Sequence, residues 1–155
     1  MITAYFYKRP YKQAVQSASI QFSLPKSLIY AVIKAESSFN RVAVSSKGAK
    51  GLMQITDGTA KFIAKELGIV SYDIFEAKTN ITFGCFYIRY LMDNYGDLTV
   101  ALCCYNAGMG NVNGWLKDKN YSKDGVHLDK IPFKETANYV KKVTRFCKTY
   151  KLLYG

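Results

Sequence analysis

The sequence predicts an all-α (mainly α) fold with one small irregular or β element near residues 40–54. Three observations carry that prediction. Apolar residues recur every three or four positions along nearly the whole chain, the period of helices that bury one face. Cap and breaker residues interrupt that period at helix-length intervals. Residues 40–54 lose the period, where Ser45, Ser46, Gly48 and Gly51 gather.

Each element has its own signal. A first helix is expected over Tyr11–Phe22. Ser23-Leu24-Pro25 then reads as a cap with proline in the following first turn. The next helix runs from about Pro25 to Phe39, with Leu28, Ile29, Val32, Ile33 and Glu36 along one broad stripe. After the irregular segment, Asp57 or Thr56 caps a helix over Gly58–Leu67 that Gly68 ends. A long helix over Ala77–Tyr95 carries Ile81, Cys85, Ile88, Leu91, Met92 and Tyr95. Gly96 ends it, and Asp97 caps the next, which continues through Val100, Ala101 and Cys104 until Asn106-Ala107-Gly108 breaks it. A short helix over Asn111–Leu116 and a polar loop over Lys117–Lys130 follow. The last helix starts after Pro132, with Thr136, Tyr139, Val140, Val143, Cys147 and Tyr150 at three- and four-residue spacing.

The 155 residues predict one domain over 11–155, preceded by an arm of residues 1–10. Hydrophobic residues make up 49% and charged residues 21%, which excludes intrinsic disorder. No apolar run approaches the roughly 20 residues of a spanning helix. The first ten residues, MITAYFYKRP, lack the apolar core of a secretory leader. Four cysteines and one histidine include no C-x-x-C pair, so no metal site is expected. The cysteines fall in apolar helical patterns and read as small buried hydrophobes, with one disulfide left open. Adjacent Cys103 and Cys104 point to different helix faces. The net charge of +11 favours polyanionic surroundings, but no Lys/Arg block or motif of a nucleic-acid binder is present. Solvated faces explain many of these cations equally well.

Glu36 breaks the pattern. It lies four residues after Val32 and three after Ile33, so it continues an apolar face. Burying a carboxylate there without a cation would favour its neutral form and lift it toward the range of a general acid. A half-exposed Glu at its helix end, or one paired with a distant Lys or Arg, fits the pattern alone as well. The segment after it adds Gly48, Gly51 and the run Gly51-Leu52-Met53-Gln54. Glycines let backbone approach a ligand, Gln54 offers an amide donor and acceptor, and Met53 a pliable apolar wall. Such a set suits a ligand rich in hydroxyls and amides, such as an N-acetylated sugar. Tyr105-Asn106-Ala107-Gly108 ends one helix. Glu135-Thr136 with Tyr139-Val140 opens the last, where Glu135 also suits the helix dipole.

These four pieces, Glu36-Ser37, Gly51-Leu52-Met53-Gln54, Tyr105-Asn106-Ala107-Gly108 and Ile131-Pro132-Phe133 with Glu135-Thr136 and Tyr139-Val140, stand in one order and spacing. Together they resemble the catalytic domain of soluble lytic transglycosylases, a goose-lysozyme-like helical fold, over about Tyr11–Tyr150. The resemblance implies that Glu36 is the single catalytic acid and base. It implies substrate contacts from Ser37, Ser45, Met53, Gln54, Tyr105, Asn106, Glu135 and Tyr139. Where some relatives carry a second Met two residues after the Gln, this chain has Thr56, which affects one patch of cleft lining and not the chemistry.

The implied reaction cleaves the β-1,4 bond between N-acetylmuramic acid and N-acetylglucosamine in peptidoglycan without water, leaving a 1,6-anhydro end. No cofactor or metal is implied. Most hydrolytic glycosidases use two carboxylates, and no Asp or Glu occurs between Ser37 and Thr56. Goose-type lysozymes have an Asp in that loop, whereas this chain has Lys47 and Lys50, so the transglycosylase reading leads the hydrolase reading. Asp57 and Asp73 are the nearby carboxylates that could reopen it. An inactive peptidoglycan-binding domain is the further alternative. The expected partners are glycan strands, with an anionic cell-wall polymer or membrane surface also suited to the charge, no nucleic acid, and a monomeric chain. Export to the wall, periplasm or outside is inferred from the substrate.

Overall fold

A computed structural model describes residues 2–155; Met1, the first residue of the expected arm, lies outside the described residues. The helices are α1 (Ile2–Phe6), α2 (Lys12–Phe22), α3 (Lys26–Ser37), α4 (Asp57–Leu67), α5 (Ala77–Tyr95), α6 (Leu98–Ala107), α7 (Met109–Lys117) and α8 (Lys134–Tyr154). The mainly helical class is therefore as expected. The chain forms two compact units, one of the residues up to Phe86 with Val143–Gly155, the other of Tyr87–Lys142.

In the first unit α3 is enclosed almost all round: Leu28, Ile29, Tyr30, Ala31, Val32 and Ile33 are buried in succession. A helix of this kind belongs at the centre of a core. Tyr30 stacks on Tyr150 of α8 at 5.4 Å. The Tyr150 hydroxyl donates to the Lys8 carbonyl at 2.9 Å and Tyr154 to that of Tyr7 at 2.8 Å. Lys34 donates to the Phe6 carbonyl at 2.7 Å. Phe6, Tyr7 and Lys8 are thus tied down through their main-chain carbonyls.

The α2–α3 junction corrects one expectation. Ser23 does not cap α3; it closes α2 in the left-handed region, φ 52°, with its N–H on the Ser19 carbonyl. Pro25 stands at the N-cap position and not inside the first turn, and its carbonyl receives the N–H groups of Leu28 and Ile29. The cause is local. Proline pushes the preceding residue out of the helical region, so α2 must end before Leu24. At the other end α3 stops at Ser37, two residues early, because Ser38 and Phe39 both take positive φ, 49° and 68°.

Residues 40–55 form the expected irregular element, with isolated antiparallel bridges Val44–Lys50 and Lys50–Ile55. Leu52, Met53 and Ile55 are buried in it, so this segment is part of the core. Asn80 of α5 holds it there. Its Oδ1 accepts from the Met53 N–H at 2.7 Å, and its Nδ2 donates to the carbonyls of Lys50 and Ile74, each at 2.9 Å. Asn80 is fully buried and all three bonds go to backbone. Gly51, at φ 78°, has no room for a side chain, since a Cβ would overlap the Asn80 amide. One turn along α5 a Cβ on Gly84 would overlap the Met53 sulfur. Of the two caps offered for α4, Thr56 is the one used, accepting from the Thr59 N–H at 3.4 Å. Asp57 is the first helical residue and pairs with Lys50 at 2.9 Å.

In the second unit Asp97 caps α6 by accepting from the Val100 N–H at 2.8 Å. Gly108 separates α6 from α7, which extends to Met109–Lys117, beyond the expected Asn111–Leu116. Trp115 meets Phe133 edge-on at 4.9 Å. All four cysteines are free, with Cys85, Cys103 and Cys104 buried. Burial pushes the Cys85 thiol up, that of Cys103 to about 12 and that of Cys104 to about 11. These are inert core residues at neutral pH. The polar loop holds His127, whose Nδ1 lies 2.6 Å from Asp124, while Nε2 lies 3.8 Å from Asp97. The Asp124 hydrogen bond raises the imidazole pKa, with Asp97 and Asp129 adding to it. Hydrogen bonds from the His127 backbone and ring hold Asp124 low.

Two outcomes follow from this packing. Asn80→Ala strands the buried Met53 N–H and removes a donor from the Lys50 and Ile74 carbonyls, of which Lys50 keeps the Ile55 N–H, so it costs about 2–3 kcal/mol. The urea midpoint should fall sharply; an unchanged midpoint would mean the clamp carries no stability. For His127 the folded pKa is raised, so its contribution is complete below the ordinary value of about 6.5 and fades as pH climbs through the folded one. Asp124 is depressed, so its share holds above the ordinary carboxylate range and fades as pH falls through the folded value. An NMR titration should place the His127 ring above that ordinary value and return it toward normal in Asp124→Asn. An equal titration in both proteins would refute the pairing.

Candidate active site

Glu36 occupies the penultimate position of α3 and is half-buried, directly after the enclosed Val32 and Ile33. Its helix end is fixed on both sides. The Ser37 hydroxyl lies 2.7 Å from the Leu52 carbonyl and 3.1 Å from that of Ile33. The Ser38 N–H closes on the Lys34 carbonyl at 3.1 Å. Ser37 therefore joins the glutamate's own turn to the 51–54 segment, which Asn80 in turn secures. A carboxylate on such a turn has little backbone freedom, the condition an acid–base group needs to hold its geometry.

The 51–54 segment departs from the expected lining in two ways. Met53 is not an exposed apolar wall; it is fully enclosed, its side chain packed against Gly84. The Gln54 amide is only partly available. Gln54 sits in the left-handed region, φ 54°, and its Nε2 donates to the Ala43 and Gly51 carbonyls at 3.2 and 3.0 Å. Both amide hydrogens are thereby used, leaving Oε1 as an acceptor. Ser45 is half-buried; its Oγ accepts from the Ala49 N–H at 3.0 Å and keeps its own hydrogen to give. Glu36, Ser37, Ser45, Met53 and Gln54 thus all belong to one hydrogen-bonded assembly in the first unit.

The second unit carries the other expected residues. Tyr105 is half-buried in α6, with its ring 5.7 Å from Tyr87, which stacks on Tyr90 at 6.2 Å. Asn106, one residue on, accepts at Oδ1 from the Thr136 hydroxyl at 2.8 Å. Thr136 is buried, so this bond locks the end of α6 to the start of α8. It leaves the Asn106 amide as the face able to give hydrogen bonds. Glu135 is exposed in the first turn of α8, and Tyr139, one turn further, is buried.

Sequence reasoning overlooked Asn80 and Gly84. Their signal was present: a lone amide four residues before a glycine, on the face of a helix otherwise filled by Ile81, Cys85 and Ile88. Thr136 was noted only as part of a motif, without its bond to Asn106. Of the two carboxylates considered as a second catalytic group, Asp57 is paired with Lys50, and Asp73 accepts from the Phe75 N–H at one oxygen, 2.9 Å away.

Comparisons with known proteins give the family and the fold. Residues 13–127 match the Transglycosylase SLT domain. The soluble lytic murein transglycosylase of Escherichia coli K12 is 35% identical over 138 residues, covering 85% of this chain and 21% of that protein. A transglycosylase of Enterobacteria phage PRD1 is 35% identical over 109 residues, 70% of this chain and 39% of that one. Among solved structures, the 70-kDa soluble lytic transglycosylase of E. coli superposes with a TM-score of 0.83 at 29% identity, covering 96% of this chain and 25% of that one. An inactive glutamate-to-glutamine mutant of the Pseudomonas aeruginosa enzyme superposes with a TM-score of 0.81 at 28% identity, covering 95% of this chain and 25% of that one. The chain spans about a fifth of the length of the E. coli relative. With the motif order, the helical architecture and a family match over most of its length, the chain belongs to the transglycosylase SLT domain family.

Proposed function

We propose that this chain is a peptidoglycan lytic transglycosylase, with residues 11–155 as its catalytic domain and the first ten residues as an arm. The observation that carries the reading is Glu36, held on a doubly fixed helix end with no second carboxylate in the segment that follows. Glu36, protonated, gives its proton to the glycosidic oxygen as the C1–O bond breaks. The 2-acetamido carbonyl oxygen shares the positive charge that develops at C1. Glu36, now a carboxylate, takes the proton of the C6 hydroxyl, whose oxygen bonds to C1 and displaces the acetamido oxygen. The product is a 1,6-anhydromuramyl end, Glu36 regains its proton, and no water is consumed. The loss of activity on exchanging one glutamate for glutamine in the Pseudomonas enzyme supports an essential glutamate.

The other residues hold sugar. Gln54 Oε1 accepts from an amide or hydroxyl, Ser45 donates its hydroxyl hydrogen, and Asn106 donates its amide. Tyr105, Glu135 and Tyr139 complete the contacts. Ser37 and Met53 support the substrate site through the backbone and the core. Hydrolysis is the weaker reading, because no Asp or Glu lies between Ser37 and Thr56 and Asp57, the next in sequence, is paired with Lys50. The substrate places the activity outside the cytoplasm, on glycan strands, with the chain acting as a monomer.

Glu36→Gln should remove anhydro-ended muropeptides from a peptidoglycan digest, with a loss of about 10²–10⁴-fold or more. Full activity in that variant would sink the assignment. Undetectable products from both proteins would leave an inert binder. Thr136→Val frees Asn106 without touching Glu36. It should raise KM more than it lowers kcat and cost about 1 kcal/mol of stability. An unchanged KM would remove Asn106 from the substrate site.

A further inference from the structure

Arg9, Lys12, Lys26 and Lys78 line one cavity of about 890 Å³ in the first unit. No Asp or Glu lines it, and none of these four cations forms an ion pair among the described residues. Three of them also stand where a helix dipole disfavours positive charge. Lys12 and Lys26 are the first residues of α2 and α3, and Lys78 is the second of α5. None of these helices has an acidic residue in its first turn, and α2 and α3 lack a side-chain cap. The fold thus gathers four cations in a concave space with no acidic side chain in its lining, an arrangement that an anion would stabilise. Arg9 is held with its guanidinium carbon 3.7 Å from the Tyr154 ring centroid, which leaves its N–H edge free for a bidentate oxyanion.

We propose that this cavity binds a chain-like polyanion whose charges are phosphodiesters, a poly(polyol phosphate). The volume lies within the roughly 300–1,000 Å³ of small-molecule sites, far more than one phosphate fills. A nucleic acid would need open aromatic faces for its bases. Here Tyr30 and Tyr150 are 3% and 1% exposed, and Arg9 covers Tyr154. A flat lipid surface does not enter a concavity. A flexible polyol chain does, and Ser17 and Ser27 in the lining offer hydroxyl partners to it. This inference goes beyond the role of Glu36 and does not depend on it.

The test uses the full chain carrying Glu36→Gln, so that turnover plays no part. A short poly(glycerol phosphate) is titrated calorimetrically at low salt into this protein. The same titration is made with the added set R9Q/K12Q/K26Q/K78Q, and with a charge-matched control, K117Q/K119Q/K123Q/K130Q. All eight positions are exposed, so circular dichroism should be unchanged. The cavity set should weaken binding at least about tenfold and flatten its salt dependence, while the control changes it less than about twofold. The pair R9Q/K78Q should give a smaller loss in the same direction. Equal loss in cavity set and control would assign the binding to diffuse charge and overturn the proposal. So would an absence of binding. Phosphatidylglycerol vesicles or a thymidine oligonucleotide held as tightly as the polymer would overturn it in favour of lipid or nucleic acid.

Discussion

Three hydrogen bonds from one buried amide hold the part of the molecule on which its chemistry depends. Residues 50–54 are neither helix nor regular strand, and their backbone bonds, among them Lys50–Ile55 and Gly51–Ala43, leave the Met53 N–H to a side chain. Asn80 receives it and donates to the carbonyls of Lys50 and Ile74. The constraint is mutual. Gly51 must lack a side chain to admit the amide, and Gly84 must lack one to admit Met53. With that segment fixed, Leu52 presents its carbonyl to Ser37, and the end of α3 is fixed in turn. The position of Glu36 thus depends on an asparagine more than 40 residues away in sequence.

The fold was legible wherever one helix face meets water. The span of α5 was read to the residue, because Gly96 and Asp97 punctuate it and its apolar period never falters. Reading failed where two rules competed for one residue. Ser23 has the chemistry of an N-cap, but the proline two positions on forces α2 to close first, and Ser23 serves that closure. Met53 was assigned to a ligand wall because a loop methionine suggests one; its burial depends on Gly84, a contact no local pattern encodes. The site was legible as a set of residue types and not as a set of bonds. Gln54 was read as giver and acceptor, whereas two backbone carbonyls consume its donors.

Charge is used in two different ways in this chain. Glu36 follows an enclosed apolar face, and Asp57, the nearest carboxylate after it in sequence, pairs with Lys50. The cavity of Arg9, Lys12, Lys26 and Lys78 gathers four cations with no acidic side chain in its lining. The first arrangement suits a group that must both give and take a proton. The second suits a ligand that brings its own negative charge. An overall excess of cations, as the composition shows it, conceals this division.

In the proposed mechanism one glutamate works without a second carboxylate and without water. Digestion of purified peptidoglycan in ¹⁸O-labelled water separates this chemistry from hydrolysis, with the muropeptide ends read by mass spectrometry. Ends one water lighter than hydrolytic products and carrying no label are expected. Labelled, hydrated reducing ends would contradict the mechanism and show that a second group activates water.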